Sequence, residues 1–309
     1  MNRLFTIDAR SILPLATACA CWGIATVITK GLLASVSPLT LLAVQLTFSV
    51  TGLWGVVLIR SRRPLTRREM IQQGLLGWLN PGLSYTFSLL GLATATASLS
   101  TLLWATEPIL IMGLAWLVLR ERFAWRLSAL STVAILGVLL VSGILGGSAL
   151  AAEWRSTALI LAGVLCCALY TVLARRLNVE TDTLFSLAVQ QSAALIWAAA
   201  LWPFERTLAG TATAFPADGP TWIGSALAGL IYYALAFWFY LRGLRQVSAS
   251  LAGAMLNLTP VFGVAGGYLF LGERLAPLQW LGAGLILAAV LVIVARPAEP
   301  APAAPGRTI

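Results

Sequence analysis

Residues 91–122 read GLATATASLSTLLWATEPILIMGLAWLVLRER, and residues 243–274 read GLRQVSASLAGAMLNLTPVFGVAGGYLFLGER. Gly91, Ser98, Pro108, Glu121 and Arg122 return as Gly243, Ser250, Pro260, Glu273 and Arg274, every pair at an offset of 152. After each Glu-Arg the chain enters another long apolar run. A weaker correspondence, at an offset of 145, sets Trp22–Lys30 against Cys167–Arg175, with Thr26 on Thr171. The chain is therefore a duplicated sequence, and the fold must be one that two similar halves can build together.

The surroundings of the repeat name the solvent. Of 309 residues, 59% are apolar and 10% charged, and mean hydropathy is +0.89. A soluble domain carries about a quarter charged residues, so this chain could not cover a water-facing surface. A hydrocarbon core about 30 Å thick needs roughly 20 helical residues. Apolar runs of that length fall at 11–33, 38–59, 69–90, 96–119, 124–145, 156–174, 183–202, 220–243, 248–271 and 277–295. They are too long and continuous for barrel strands, which alternate over about ten residues. The fold expected is an all-α polytopic membrane protein of ten transmembrane helices. The first repeat covers 11–145 and the second 156–295. The proline-rich tail 296–309 is expected to be a disordered end.

Charge orients the spans. With the N-terminus in the cytoplasm, sixteen of the 20 basic residues fall inside, and Lys30, Arg155, Arg206 and Arg274 fall outside. This bias puts both termini in the cytoplasm of a multi-pass protein of the plasma (inner) membrane. Five spans separate equivalent positions, so the halves face opposite ways, an architecture that recurs in secondary transporters. The net charge of +9 is thus topological, with no nucleic-acid footprint. Trp54, Trp116, Trp125, Trp202, Trp222 and Trp280 lie near span ends, where indoles anchor at the interface.

The elements Pro108…Glu121-Arg122 and Pro260…Glu273-Arg274, with Trp22-Gly23 in the first span and Pro277 entering the last, resemble the EamA-type repeats of the drug/metabolite transporter superfamily. The resemblance runs from about residue 15 to 294. It implies a ten-helix bundle whose central cavity is lined mainly by spans 1, 3, 4, 6, 8 and 9, with spans 5 and 10 supporting the packing. It also implies a small-molecule substrate, with export of amino acids or other metabolites common among bacterial members. Cys167 departs from the tryptophan usual in the first span of a second half.

Glu107 is the sharpest single feature, about 17 Å along its helix from the span start. A carboxylate at that depth costs roughly 2.5–3.5 kcal/mol and must face protein or a wet cavity. It can carry a proton coupled to transport, pair with a cationic group of the substrate, or bond across helices in a structural role. Its repeat equivalent is Thr259, and Asn257 is a second deep polar group. Pro108 and Pro260 each remove an amide donor near mid-helix, as do Asn80-Pro81 in the third span, so kinks with a shaping or gating role are expected there. Trp22, Trp78, Tyr85 and Trp104, with Tyr233, Phe237 and Tyr240 in the eighth span, form an expected aromatic lining. Regular helical spacing sets Trp78 and Tyr85 on one face. The cysteines read as small buried hydrophobes.

No histidine is present, and no acid, base, nucleophile or ligand set converges. No enzyme, cofactor, metal or nucleic-acid partner is therefore expected. The partners expected are a small solute, membrane lipids and, through Glu107, protons; monomer and homodimer both fit. The reading reached is a secondary transporter of a small metabolite, an exporter of amino acids or of amphipathic and aromatic compounds, working by alternating access. The alternative is a facilitative channel or a non-transporting membrane assembly protein.

Overall fold

A computed structural model describes residues 9–33, 35–60, 65–92, 103–121, 125–141, 154–177, 182–209, 214–270 and 277–295. The tail 296–309, Ser98, Arg122, Glu273 and Arg274 lie outside the described residues.

Ten helical spans follow in order. They are α1 (Ala9–Leu32), α2 (Pro38–Arg60), α3 (67–92), α4 (Glu107–Leu119), α5 (Trp125–Val141), α6 (Trp154–Leu177), α7 (Thr183–Leu201), α8 (Gly219–Leu244), α9 (249–270) and α10 (Pro277–Ala295). A short helix, Glu205–Ala209, follows α7. Local sequence sets several starts. Thr66 and Glu69 form a reciprocal capping box before α3, and Asp182 and Asp218 accept amide protons at the starts of α7 and α8.

Four of the spans are broken, in matched pairs. α3 passes through a π-helical turn at Trp78–Leu83, and α8 through another at Leu230–Leu235, at the repeat offset of 152. Within the first, Asn80 leaves helical geometry altogether (φ −151°, ψ 122°). The fourth span is helical at Leu103-Trp104, turns at Ala105-Thr106 and resumes as α4 at Glu107, with Pro108 in its first turn. α9 changes from α-helix (Ala249–Met255) through a 3-10 turn (Leu256–Leu258) to α-helix again at Thr259, with Pro260 second. A proline at the start of a helix needs no amide partner, so each proline opens a new half-helix.

The repeats are not separate bodies. α1 packs on α8 and α9, α6 on α3 and α4, α2 on α7 and α8, and α7 on α2 and α3, while α5 and α10 pair with each other. Water cannot drive such contacts inside lipid, so small residues and interhelical hydrogen bonds must supply the fit. A Cβ on Gly77 would run into the backbone carbonyl of Gln190, and one on Gly229 into that of Gln45. Gly77 and Gly229 correspond at offset 152, and Gln45 and Gln190 at offset 145. The same close approach is built twice. Around it Gln190 Nε2 donates to Gln73 Oε1 at 2.6 Å, Tyr170 Oη to Gln190 Oε1 at 2.9 Å, and Ser49 Oγ to Gln191 Oε1 at 2.9 Å.

Two carboxylates, Glu121 half-buried and Glu205 buried, tie span ends together. Glu121, just beyond α4, accepts from Ala249 N (2.9 Å), Ser250 N (3.2 Å) and Ser250 Oγ (2.6 Å) at the start of α9. Glu205, fully buried beyond α7, accepts from Ser37 Oγ (2.8 Å), Leu39 N (2.7 Å), Thr40 N and Thr40 Oγ1 at the start of α2. In each case the end of one helix meets the beginning of another, so α4 runs opposite to α9 and α7 opposite to α2. That is the geometry of inverted repeats. Trp116, Trp125, Trp222 and Trp280 are exposed near span ends, whereas Trp54 and Trp202 tether α2 and α7, their indoles donating to Ser192 and Thr40.

Candidate functional site

The breaks of α3, α4, α8 and α9 converge on α1 and α6. Glu107, the first residue of α4, is 7% exposed, and the thiol of Cys167 on α6 lies in hydrogen-bonding reach of its carboxylate. Asn80, in the break of α3, donates from Nδ2 to the same sulfur at 3.2 Å. Its Oδ1 is buried and unmatched. Cys19 on α1 donates to the Met255 carbonyl at 3.3 Å and lies within reach of Thr259 and close to Glu107. The two repeat-equivalent positions, Glu107 and Thr259, therefore flank one thiol.

Aromatic rings surround this cluster. Trp22 packs against Phe237 and Tyr240, each with ring centroids 5.3 Å away. Tyr85 touches Trp104 (6.2 Å), Tyr232 (5.6 Å) and Tyr233 (5.6 Å). Tyr233 stacks on Phe237 at 6.5 Å, and the hydroxyls of Tyr240 and Thr171 are 2.9 Å apart. Tyr233, Phe237 and Tyr240 are buried; Trp22, Tyr85, Trp104, Tyr232 and Cys167 are only half-buried, although helices pack around them. Thr26, one turn along α1 from Trp22 and near the Tyr232 hydroxyl, is exposed. Trp22 Nε1 is buried without a partner.

Trp22, Tyr85, Trp104, Glu107, Tyr233 and Thr259 thus come together, with Asn80 and the start of Pro108's half-helix beside them. Two expected members stand elsewhere. Trp78 is 45% exposed and packs against Trp197 at 6.3 Å. Its shared face with Tyr85 assumed a regular helix, and the break at Asn80 turns the two rings apart. Asn257 is buried, but its amide donates to Ser131 on α5 (3.4 Å) and to the Ala254 carbonyl (3.0 Å), joining α9 to α5. Pro81 is buried in the break and Pro260 opens the second half of α9.

Tyr232, Cys167 and Cys19 are site neighbours that helical periodicity passes over. An α-helical repeat singles out Tyr233, Phe237 and Tyr240; the π-helical turn adds a residue to the ring and brings Tyr232 round as well. For Cys167 a signal existed: at offset 145 it stands on Trp22, the ring at the heart of the site. The described cysteines are free thiols, and no group of metal-binding side chains forms among the described residues.

The EamA-like transporter family matches the chain twice, over residues 9–143 and 154–295. An uncharacterized transporter of Archaeoglobus fulgidus is 23% identical over 287 residues, 91% of this chain and 97% of that one. The uncharacterized transporter YetK of Bacillus subtilis is 26% identical over 230 residues, 72% of this chain and 67% of its own. A solved crystal structure superposes with a TM-score of 0.79 over 92% of this chain and 98% of the other, at 19% identity, a likeness of fold alone. Duplicated sequence, inverted helices and both family matches agree: the chain is a multi-pass membrane protein belonging to the EamA-like transporter family of the drug/metabolite transporter superfamily.

Proposed function

We propose that the protein is a secondary transporter that exports a small solute, an amino acid or an amphipathic aromatic compound, by alternating access. It works in the plasma (inner) membrane with both termini in the cytoplasm, and residues 11–145 and 156–295 are its two repeat units. Trp22, Tyr85, Trp104, Glu107, Tyr233 and Thr259 line the site. The breaks at Asn80-Pro81, Pro108 and Pro260 are the hinges.

One observation carries this reading. Paired helices break at repeat-equivalent positions, and two buried polar atoms there, Asn80 Oδ1 in the break of α3 and Trp22 Nε1 on the adjoining α1, have no partner. Broken helices around a midplane site suit a carrier, because each half-helix can move with its own repeat. A static packing role would leave those polar groups matched.

The test is counterflow in sealed liposomes with a panel of amino acids, amines and aromatic solutes, with and without an imposed pH gradient. Saturable, solute-specific counterflow is the expected result. Conductance without saturation or exchange would replace the carrier with a channel. Glu107→Gln is expected to change either the pH dependence or the solute preference; unchanged values for both would return Glu107 to a structural role.

A further inference from the structure

The site offers more than rings, and its unmatched polar atoms have a sense. Among the described residues, the Cys167 thiol lies in hydrogen-bonding reach of the Glu107 carboxylate, and the Tyr240 hydroxyl stands close enough to feel its charge. Asn80 presents a carbonyl oxygen, Oδ1, with no donor. Both residues contact the Cys167 sulfur, so the two acceptors stand about one side chain apart. The orphan donor is the indole N–H of Trp22, whose ring rests on Tyr240.

Among the described residues, no basic side chain stands at this level of the bundle. The described Arg side chains stand at span ends: Arg60, Arg67, Arg155, Arg175 and Arg242 are examples. A second anion set about 5 Å from Glu107 at an effective dielectric near 20 would be disfavoured by roughly two orders of magnitude in affinity. One neutral indole N–H cannot offset that fully. A positive charge has the opposite fate: a carboxylate, an amide oxygen and the faces of Trp22, Tyr85 and Tyr232 all attract it.

We propose that the site takes an aryl-alkyl monoamine, its ammonium donating to Glu107 and Asn80 Oδ1, its ring among Trp22, Tyr85 and Tyr232, and that it discriminates against the corresponding amino acid. This rests on the transport site assigned above and narrows its solute class. The discrimination comes from what the site lacks, a cation for the second carboxylate.

Three probes of one shape test it: tryptamine, tryptophan and the neutral alcohol tryptophol, bound to the purified full chain in nanodiscs and read by intrinsic fluorescence and calorimetry. Tryptamine is expected to bind at least about tenfold more tightly than either of the others, the scale of one charged hydrogen bond. Glu107→Gln should weaken tryptamine about ten- to a hundredfold and leave tryptophol within about twofold. Asn80→Leu removes the second acceptor without altering charge and should weaken tryptamine by a further measurable factor while sparing tryptophol. Equal binding of tryptamine and tryptophan by the wild type, or tryptamine binding untouched in both variants, overturns the proposal. Counterflow separates the two readings. Carriage of other solutes without tryptamine binding sinks the amine site and leaves the transporter standing. Tight, Glu107-dependent tryptamine binding without carriage of any solute upholds the amine site and sinks the transporter.

Discussion

At the scale of single residues, the carboxylates divide by what they meet. Glu205 is sealed and fully matched, accepting from two amides and two hydroxyls at the start of α2. Removing such an acceptor leaves buried donors empty, at about 2–3 kcal/mol. Glu205→Ala is therefore expected to lower the unfolding temperature in detergent clearly, and Glu205→Gln less so, since the amide oxygen still accepts; an unchanged midpoint for Glu205→Ala would refute the cap. Asp218, exposed at the start of α8, is different. The Thr221 hydroxyl and amide hold its carboxyl below the ordinary range. A depressed folded value means that its contribution is present above the unfolded pKa near ~3.9 and disappears as pH falls through the folded value. Asp218→Ala should thus destabilise at neutral pH and lose its effect in strong acid, as a pH series of thermal melts would register.

At the scale of elements, the close approaches explain why helices of opposite repeats interlock. Gly77 and Gly229 let α3 and α8 rest on the backbones of α7 and α2. Gly77→Ala and Gly229→Ala each push a methyl into a carbonyl and should cost about 1–3 kcal/mol. Gly55→Ala and Gly113→Ala add a methyl where nothing lies within 4 Å, and should be neutral or slightly stabilising. Melting all four variants side by side checks the duplication directly, since Gly77 and Gly229 must behave as a pair. The broken spans belong to this scale too. Continuous α-helix through residue 80 would carry Tyr85 round with Trp78; the break instead delivers Tyr85 to Trp104 and Tyr232.

At the scale of the whole molecule, the two carboxylate clasps lie on opposite faces, because α2 starts where α1 ends and α9 starts where α8 ends. Leu244, Val247 and Ala249, on the stretch of chain that meets the Glu121 clasp, are buried. Losing the clasp removes charged hydrogen bonds of about 1.5–3 kcal/mol, enough to shift a two-state population tenfold or more. With native cysteines replaced, a cysteine at Val247 is expected to react faster with an impermeant thiol reagent in Glu121→Gln and Ser250→Ala than in the parent. Equal rates would show that the clasp holds no gate. Cysteines at Thr66 and Asp218, labelled in intact vesicles, should report from opposite sides, and Thr66 from the cytoplasm.

Duplication, span number and inversion are written in the sequence, because lipid demands long apolar helices and because Pro108, Glu121, Pro260 and Glu273 mark the copies without any knowledge of contacts. Glu107 is equally legible, since a lone carboxylate in an apolar run has few places to go. Tertiary structure alone decided which polar groups are spent and which are free. Asn257 is used up on Ser131, Glu205 on α2, and Asn80 keeps an empty oxygen; Trp78 turns away while Tyr232 and Cys167 turn in. Those outcomes depend on partners up to 168 residues distant and on one-residue shifts at helix breaks. Helical periodicity carries no information about either.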